Sequence, residues 1–168
     1  MAAGTEVREC SVARTLEVVG EKWTLLAVRE LMLGNSRFEQ ITRYTGAPRD
    51  ILTTRLRKLE ANGLLERVPY QERPTRYEYR LTRLGWSLAP LVTMMRAWGD
   101  AHLAGPEGPP VGFLHSCGAQ LTPVLHCATC QKPLRPEDVR PAAEPAATAP
   151  TPGEPGMADA PRGGDNPS

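Results

Sequence analysis

The 168-residue chain is poor in aromatic residues, and it contains no long apolar run. Phe, Trp and Tyr together make up 5% of the chain, so a core has to be built mainly from Leu, Val, Ile and Ala. No apolar stretch approaches the roughly 20 residues that a membrane-spanning helix needs. The polar first ten residues, MAAGTEVREC, lack the apolar segment of a signal peptide. These absences predict a cytoplasmic protein with one modest hydrophobic core.

The chain also lacks the motifs of the common enzyme classes. It has no Gly-rich phosphate loop, no Ser-His-Asp arrangement and no Glu-bearing zinc-hydrolase motif. His102 falls near the end of a predicted helix, where a positive charge interacts favourably with the helix dipole. We therefore expect no enzymatic activity and no required cofactor.

Positive charge is concentrated in the first part of the chain, although the net charge is only +1. Residues 1–104 contain 16 basic and 12 acidic residues, whereas residues 105–168 contain 4 and 7. Within residues 37–83 the counts are 11 basic and 6 acidic. A basic block followed by an acidic tail favours a polyanionic partner such as nucleic acid.

Apolar residues at helical spacing predict three helices before residue 46. The first begins at Ser11, which can cap it, and ends at Gly20. The second covers residues 21–33, and a short third helix follows a cap at Ser36. The apolar positions that carry the first and third helices are Val12, Leu16, Val19, Phe38, Ile41 and Tyr44.

A fourth helix is predicted over residues 48–62, after a turn at residues 45–47. Pro48 suits the first position of a helix because its missing N–H would be unpaired there. Gly63 provides the C-terminal cap. The apolar stripe of this helix is narrow and consists of Leu52, Leu56 and Leu59, flanked by Ile51.

The periodicity then changes to that of a hairpin and a last helix. Residues 64–70 and 76–81 are β-prone, and the polar, Pro-containing residues 71–75 between them predict the tip. Thr82 can cap one long helix that runs to about residue 103. The order of elements predicts a mainly α fold with a small β-hairpin wing, a winged helix-turn-helix over residues 8–104.

Helix 48–62 is the predicted recognition helix, because the second helix of a helix-turn-helix enters the major groove. Its polar face carries Arg and Thr, which can read base edges, and the hairpin offers Arg for phosphate or minor-groove contact. The alternative is an ordinary amphipathic helix with a solvated face. The candidate DNA-binding residues are Arg37, Arg49, Thr53, Thr54, Arg55, Arg57, Lys58, Arg73 and Arg76.

A set of short motifs extends from about residue 8 to residue 103. They are Cys10 with Ala13-Arg14, GEKWT (20–24), RELMLG (29–34), RF (37–38), LTTRL (52–56), LE (59–60), NGL (62–64), RPTRYEY (73–79), LTRLG (81–85) and WG (98–99). Together they resemble the HxlR-type winged-helix regulators, which are related to the MarR group.

This resemblance implies a cytoplasmic bacterial homodimer that binds a palindromic operator in double-stranded DNA, usually as a repressor and sometimes as an activator. Dimers of such proteins pair through the N-terminal and last long helices. In some members a cysteine at the position of Cys10 senses oxidants, quinones or aldehydes. Cys10 is therefore a candidate redox sensor and an electrophile a candidate effector; the alternative is a small apolar residue without a signalling role.

A second cysteine cluster lies beyond the linker at residues 105–110. Within residues 111–140, Cys127 and Cys130 form a Cys-x-x-Cys half of a zinc site, and His115 and Cys117, with His126 as an alternative ligand, supply the other half. Free thiols and a redox disulfide between Cys127 and Cys130 are the alternatives. The Pro/Ala-rich residues 141–168 predict a disordered tail.

The Cys/His segment also carries the alternative function. In that interpretation the winged helix binds a protein partner, and the chain is a zinc- or thiol-based interaction module. The Arg/Thr face of helix 48–62 and the basic hairpin favour DNA.

Overall fold

The structure is a computed structural model that describes residues 10–141 of the chain. All of the predicted disordered tail except residue 141 lies outside the described residues, as do residues 1–9. The chain divides into two compact units after Pro110, and each unit is described by itself.

The first unit is mainly helical with one two-stranded antiparallel hairpin, which confirms the predicted fold class. The elements of this unit are α1 (Ser11–Val19), α2 (Lys22–Met32), α3 (Phe38–Thr45), α4 (Arg49–Ala61), β1 (Leu65–Glu72), β2 (Thr75–Leu81), α5 (Arg83–Trp86) and α6 (Ala89–His102). Among residues 10–141, no helix is both long and apolar enough to cross a bilayer.

The core lies where α2, α3 and α4 meet the start of the hairpin. The predicted stripe of α4 is confirmed, since Leu52, Leu56 and Leu59 are at most 1% exposed. Burial of each such side chain stabilises the fold by about 2 kcal/mol. Because these three residues fix one side of α4 against the core, the opposite side faces solvent.

The predicted caps of α1 and α3 and the predicted first residue of α4 are each displaced by one residue. Ser11 is the first residue of α1, and Cys10 occupies the cap position without a side-chain cap bond. Arg37 rather than Ser36 precedes α3, where the Gln40 side chain accepts a hydrogen bond from the Arg37 backbone N–H at 3.1 Å. Pro48 occupies the cap position of α4, which begins at Arg49. Cys10 and Arg37 have extended backbone, so each is the cap that precedes the first helical residue of α1 and α3.

The hairpin is longer and its tip is tighter than the predicted tip of five residues. β1 pairs with β2 from Leu65 opposite Leu81 to Glu72 opposite Thr75, so the connection consists of Arg73 and Pro74. The register shifts between Pro69 and Gln71. The polar residues near the tip pair as strand because both of their faces lie in solvent, where polarity does not oppose pairing.

The prediction of one uninterrupted last helix is wrong. α5 ends at Trp86 and α6 begins at Ala89. Pro90 explains the break, because its nitrogen carries no hydrogen to donate to the Trp86 carbonyl and its ring crowds that carbonyl. The predicted cap at Thr82 is present: its Oγ1 accepts a hydrogen bond from the Gly85 N–H at 3.1 Å.

The second unit has little regular structure between Val111 and Pro141, apart from a 3-10 turn at Pro136–Asp138. Two tight turns organise it. In the first, the His115 N–H donates to the Ala119 carbonyl at 2.8 Å. In the second, the Cys127 N–H donates to the Lys132 carbonyl at 3.0 Å.

Candidate nucleic-acid interface

A short turn connects α3 to α4 and fixes how the two helices meet. Gly46 ends α3 with a φ of +69°, a left-handed conformation that costs glycine little. The Thr45 hydroxyl accepts a hydrogen bond from the Ala47 N–H at 3.2 Å. Ala47 itself is buried in the core. The turn thereby anchors the N-terminal end of α4 beside α3, which is the arrangement of a helix-turn-helix.

The solvent face of α4 presents the predicted Arg and Thr residues together. Arg49, Thr54 and Arg57 are exposed, whereas Thr53 and Lys58 are half-buried. The Thr53 hydroxyl donates to the Arg49 carbonyl at 2.7 Å, and the Thr54 hydroxyl donates to the Asp50 carbonyl at 3.0 Å. Because their hydrogens are donated inside the helix, both hydroxyls present only lone pairs to a ligand. Each threonine side chain also presents its methyl group.

Arg49 is held by a carboxylate of the preceding helix. Its Nη1 and Nη2 donate to Glu39 at 2.7 and 2.8 Å, and its guanidinium lies 4.9 Å from the centre of the Phe38 ring. These hydrogen bonds hold the pKa of Glu39 below its usual range and raise the pKa of Arg49. Arg76 also lowers the Glu39 pKa by its charge. Both groups of the pair are therefore charged at neutral pH.

Arg55 has a different environment from the other basic residues of α4. Its Nη2 forms an ion pair with Glu21, and its side chain is only 21% exposed. The predicted phosphate contact would require this guanidinium to leave Glu21. The structure instead gives Arg55 a partner within the fold, tying α4 to the residue that precedes α2.

Basic side chains on the wing and beside it are of two kinds. Arg73 and Arg76, near its tip, are exposed and form no ion pair among the described residues. Arg37 instead stacks on Tyr70, with 4.6 Å from its guanidinium carbon to the ring centre, and its backbone bridges to Glu78. The wing thus leaves two cations available at its tip.

One functional contact was not predicted from the sequence. The Arg67 Nε of β1 donates to the Glu60 carboxylate of α4 at 2.9 Å, and the Arg67 guanidinium also lies over Tyr77. The Glu60 hydrogen bond raises the pKa of Arg67. The contact ties α4 to the wing. Helical or strand periodicity carries no signal for it, because it joins residues of two different elements.

The four predicted zinc ligands are not gathered into one site. His115 Nδ1 lies 3.1 Å from Cys117 Sγ, and Cys127 lies close to Cys130 in the second turn. Over residues 10–141, however, no group of three or more His, Cys, Asp or Glu side chains is arranged to hold one metal ion. Each pair belongs to its own backbone turn, so the predicted four-ligand geometry is not met.

The chain matches the HxlR-like helix-turn-helix family over residues 18–106, which is more than half of its length. It belongs to this family. The HxlR-like match covers the helix-turn-helix, the wing and α6, so the chain is a helix-turn-helix transcriptional regulator.

Known proteins similar to this HxlR-like chain are regulators as well. The uncharacterized HTH-type transcriptional regulator Rv3095 of Mycobacterium tuberculosis is 46% identical over 132 residues, which cover 78% of this chain and 84% of the relative. The crystal structure of PA1607, a candidate transcription factor, is 34% identical with a TM-score of 0.72 and covers 84% of this chain and all of that one. The redox regulator HypR in its oxidised form is 36% identical with a TM-score of 0.52, covering 55% and 97%.

The match to Rv3095 is long enough to extend into the second unit. A match of 132 residues in a chain of 168 leaves at most 36 residues outside it, so it reaches past residue 130. The Cys and His residues between His115 and Cys130 of this HxlR-like protein therefore lie within the region matched to Rv3095.

Proposed function

We propose that this HxlR-family regulator represses transcription as a homodimer that binds a palindromic operator in the cytoplasm. The observation that carries the proposal is the exposure of Arg49, Thr54 and Arg57 on the solvent face of α4. This face is flanked by a wing whose tip cations, Arg73 and Arg76, form no ion pair among the described residues. In this proposal α4 enters the major groove and the wing lies along the phosphate backbone.

Each side chain has a distinct role in this proposal. Arg57 lies in the middle of the exposed face of α4, where a guanidinium can make two hydrogen bonds to guanine. Thr54, with its hydroxyl hydrogen already donated to Asp50, can accept from a base amino group or contact a thymine methyl. Arg73 and Arg76 suit phosphate or minor-groove contacts, which add affinity more than sequence preference. Thr53 and Lys58, which are half-buried on α4, lie at the border of this surface, whereas Arg37 stacks on Tyr70.

A dimer is proposed because α6 has an apolar face that the described residues leave exposed. Leu91, Met95 and Trp98 are 39%, 51% and 59% exposed, whereas Val92, on the neighbouring face of α6, packs against the core. On α1, Val12 and Leu16 are also more than half exposed. A second copy of the chain would cover these faces and place two recognition helices about one DNA turn apart.

The proposed effector site is Cys10. Its thiol is exposed at the cap position of α1, a place that an electrophile can reach. The position adjoins the proposed dimer face on α1. Modification there would alter how the two copies pair and thereby their spacing on DNA.

The experiment that tests the proposal is binding of the full-length protein to its own promoter region, measured against a scrambled duplex over a range of salt concentrations. Specific binding with a steep salt dependence is expected, since phosphate contacts release counterions. Equal affinity for the scrambled duplex at every salt concentration contradicts the proposal. A reporter placed behind the promoter gives the sign of regulation: expression should rise when the regulator is deleted.

A further inference from the structure

Asp50 lies in the first turn of α4 and is exposed, like Thr54 and Arg57. Residues three and four positions apart are neighbours on a helix surface, so these three side chains form one row along α4. The leucines of α4 hold its other side against the core, and the row therefore faces solvent. Asp50 is the acidic member of the face that the proposed function places in the major groove.

The carboxylate of Asp50 is not offset by the cation beside it in the chain. Arg49 donates from both of its η nitrogens to Glu39 instead, at 2.7 and 2.8 Å. Among residues 10–141, Asp50 takes part in no ion pair. The Thr54 hydroxyl donates to the backbone carbonyl of Asp50 and not to its carboxylate. An exposed negative charge therefore remains on this face of α4.

A carboxylate in this place opposes the binding of most DNA sequences. The phosphates repel it whatever the sequence is, and an ionised carboxylate can only accept hydrogen bonds. In the major groove guanine presents two acceptors, and thymine presents an acceptor and a methyl group. Adenine presents an acceptor beside its amino group, whereas cytosine presents an amino donor alone. Cytosine is therefore the base whose major-groove edge best matches a carboxylate.

We propose that Asp50 determines part of the operator sequence by accepting a hydrogen bond from the N4 amino group of a cytosine in each half-site. This inference rests on the proposed function, because it requires α4 to lie in the major groove. The N-terminal residues of a recognition helix contact base edges, which suits the second residue of α4. Asp50 also excludes guanine and thymine, because it places an acceptor against an acceptor.

A purely structural role for Asp50 makes a different prediction. An acidic residue in the first turn of a helix interacts favourably with the helix dipole, and Asp50 has that position in α4. Loss of this interaction alone would lower the stability of α4 and would leave the preferred base at each operator position unchanged. The base preference of the protein therefore separates the two roles.

The test is selection by the full-length protein from a library of duplexes with a randomised centre. The parent should disfavour guanine and thymine at one position of each half-site by at least about fivefold. Asp50→Ala should reduce this preference to about twofold or less and should bind a scrambled duplex about two- to threefold more tightly at low salt. Asp50→Asn should change the preferred base there from cytosine to adenine, because an amide both accepts and donates. The control Glu107→Ala, at an exposed acid after α6, should select the parent's sequences.

The outcomes distinguish failure of this inference from failure of the proposed function. If the parent protein and both Asp50 variants select the same defined sequence, Asp50 reads no base and the inference is wrong, while sequence-specific DNA binding stands. A parent preference for guanine or thymine at the position that Asp50 controls would overturn the inference in the same way. If the parent protein selects no defined sequence, the proposed function fails and the inference fails with it.

Discussion

Glu39 on α3 binds the guanidinium of Arg49 on α4 through two hydrogen bonds, at 2.7 Å from Nη1 and 2.8 Å from Nη2. The pair spans the two helices of the helix-turn-helix and stacks against Phe38. It orients Arg49, the first residue of α4, and also offsets its charge. In the proposed complex, Arg49 would therefore reach DNA in competition with Glu39.

Glu39→Gln should strengthen DNA binding, because it leaves Arg49 without a carboxylate partner. We expect affinity for any duplex to rise about threefold at low salt and the salt dependence to steepen by up to about one counterion. Fluorescence anisotropy over a salt series measures both effects. Glu17→Gln on α1 removes the same charge away from Arg49 and should change affinity little. Equal effects of the two substitutions would show that the pair does not compete with DNA.

Arg55→Ala should destabilise the fold and leave DNA binding nearly unchanged. The substitution removes the ion pair with Glu21 from a side chain that is mostly buried. We expect a loss of about 1 kcal/mol, which lowers the melting temperature by roughly 4–8 °C for a domain of this size. Calorimetry and a DNA titration at a temperature where both proteins are folded separate the two effects. Normal stability with weakened DNA binding would support the phosphate contact that the sequence predicts for Arg55.

Local sequence signals were sufficient to predict most of the fold. The spacing of Leu52, Leu56 and Leu59 predicts α4 because burial of one helix face requires that period. Apolar spacing does not predict the break between α5 and α6, because it continues across the break. Pro90 is the one sequence signal for the break. Arg55–Glu21, Arg49–Glu39 and Arg67–Glu60 could not be predicted, since each joins residues from separate elements whose relative placement only the tertiary structure supplies.

Gly85→Ala should destabilise the domain strongly. A Cβ at Gly85 would lie 2.0 Å from the Leu64 carbonyl oxygen, so α5 could not remain packed against the start of the hairpin. We expect a loss of about 2–3 kcal/mol in the free energy of unfolding, measured by urea denaturation. Gly99→Ala is the matched control: a Cβ there meets nothing within 4 Å, and alanine favours a helix by up to about 1 kcal/mol. A neutral Gly85→Ala would mean that α5 does not pack as described.

Met95→Glu should convert the proposed dimer into a monomer. The substitution places a charge in the middle of the exposed apolar face of α6, between Leu91 and Trp98. We expect dimerisation to weaken by at least about 2 kcal/mol, roughly 30-fold in the dissociation constant, measured by sedimentation equilibrium. Leu33→Glu, at an exposed apolar residue outside α1 and α6, should leave the oligomeric state unchanged. A Met95→Glu protein that sediments like the parent would place the dimer interface elsewhere.

The candidate site was less predictable than the fold. The sequence indicated which Arg and Thr residues face solvent on α4, but not which cations already have partners in the protein. Arg49, Arg55 and Arg57 look alike in the sequence, yet Arg49 binds Glu39, Arg55 binds Glu21, and Arg57 forms no ion pair among the described residues. Substitution of Arg57 is therefore the most direct test of the proposed DNA-binding surface.

The most direct test of the account is the affinity of Arg57→Ala and Arg76→Ala for the operator and for a scrambled duplex. Arg135→Ala in the second unit is the control for loss of one positive charge. Arg57→Ala should weaken operator binding by about 1–3 kcal/mol, roughly 5–150-fold, and should weaken binding to the scrambled duplex much less. Arg76→Ala should weaken both by similar factors. If Arg57→Ala binds both duplexes as the parent protein does, α4 is not the recognition helix.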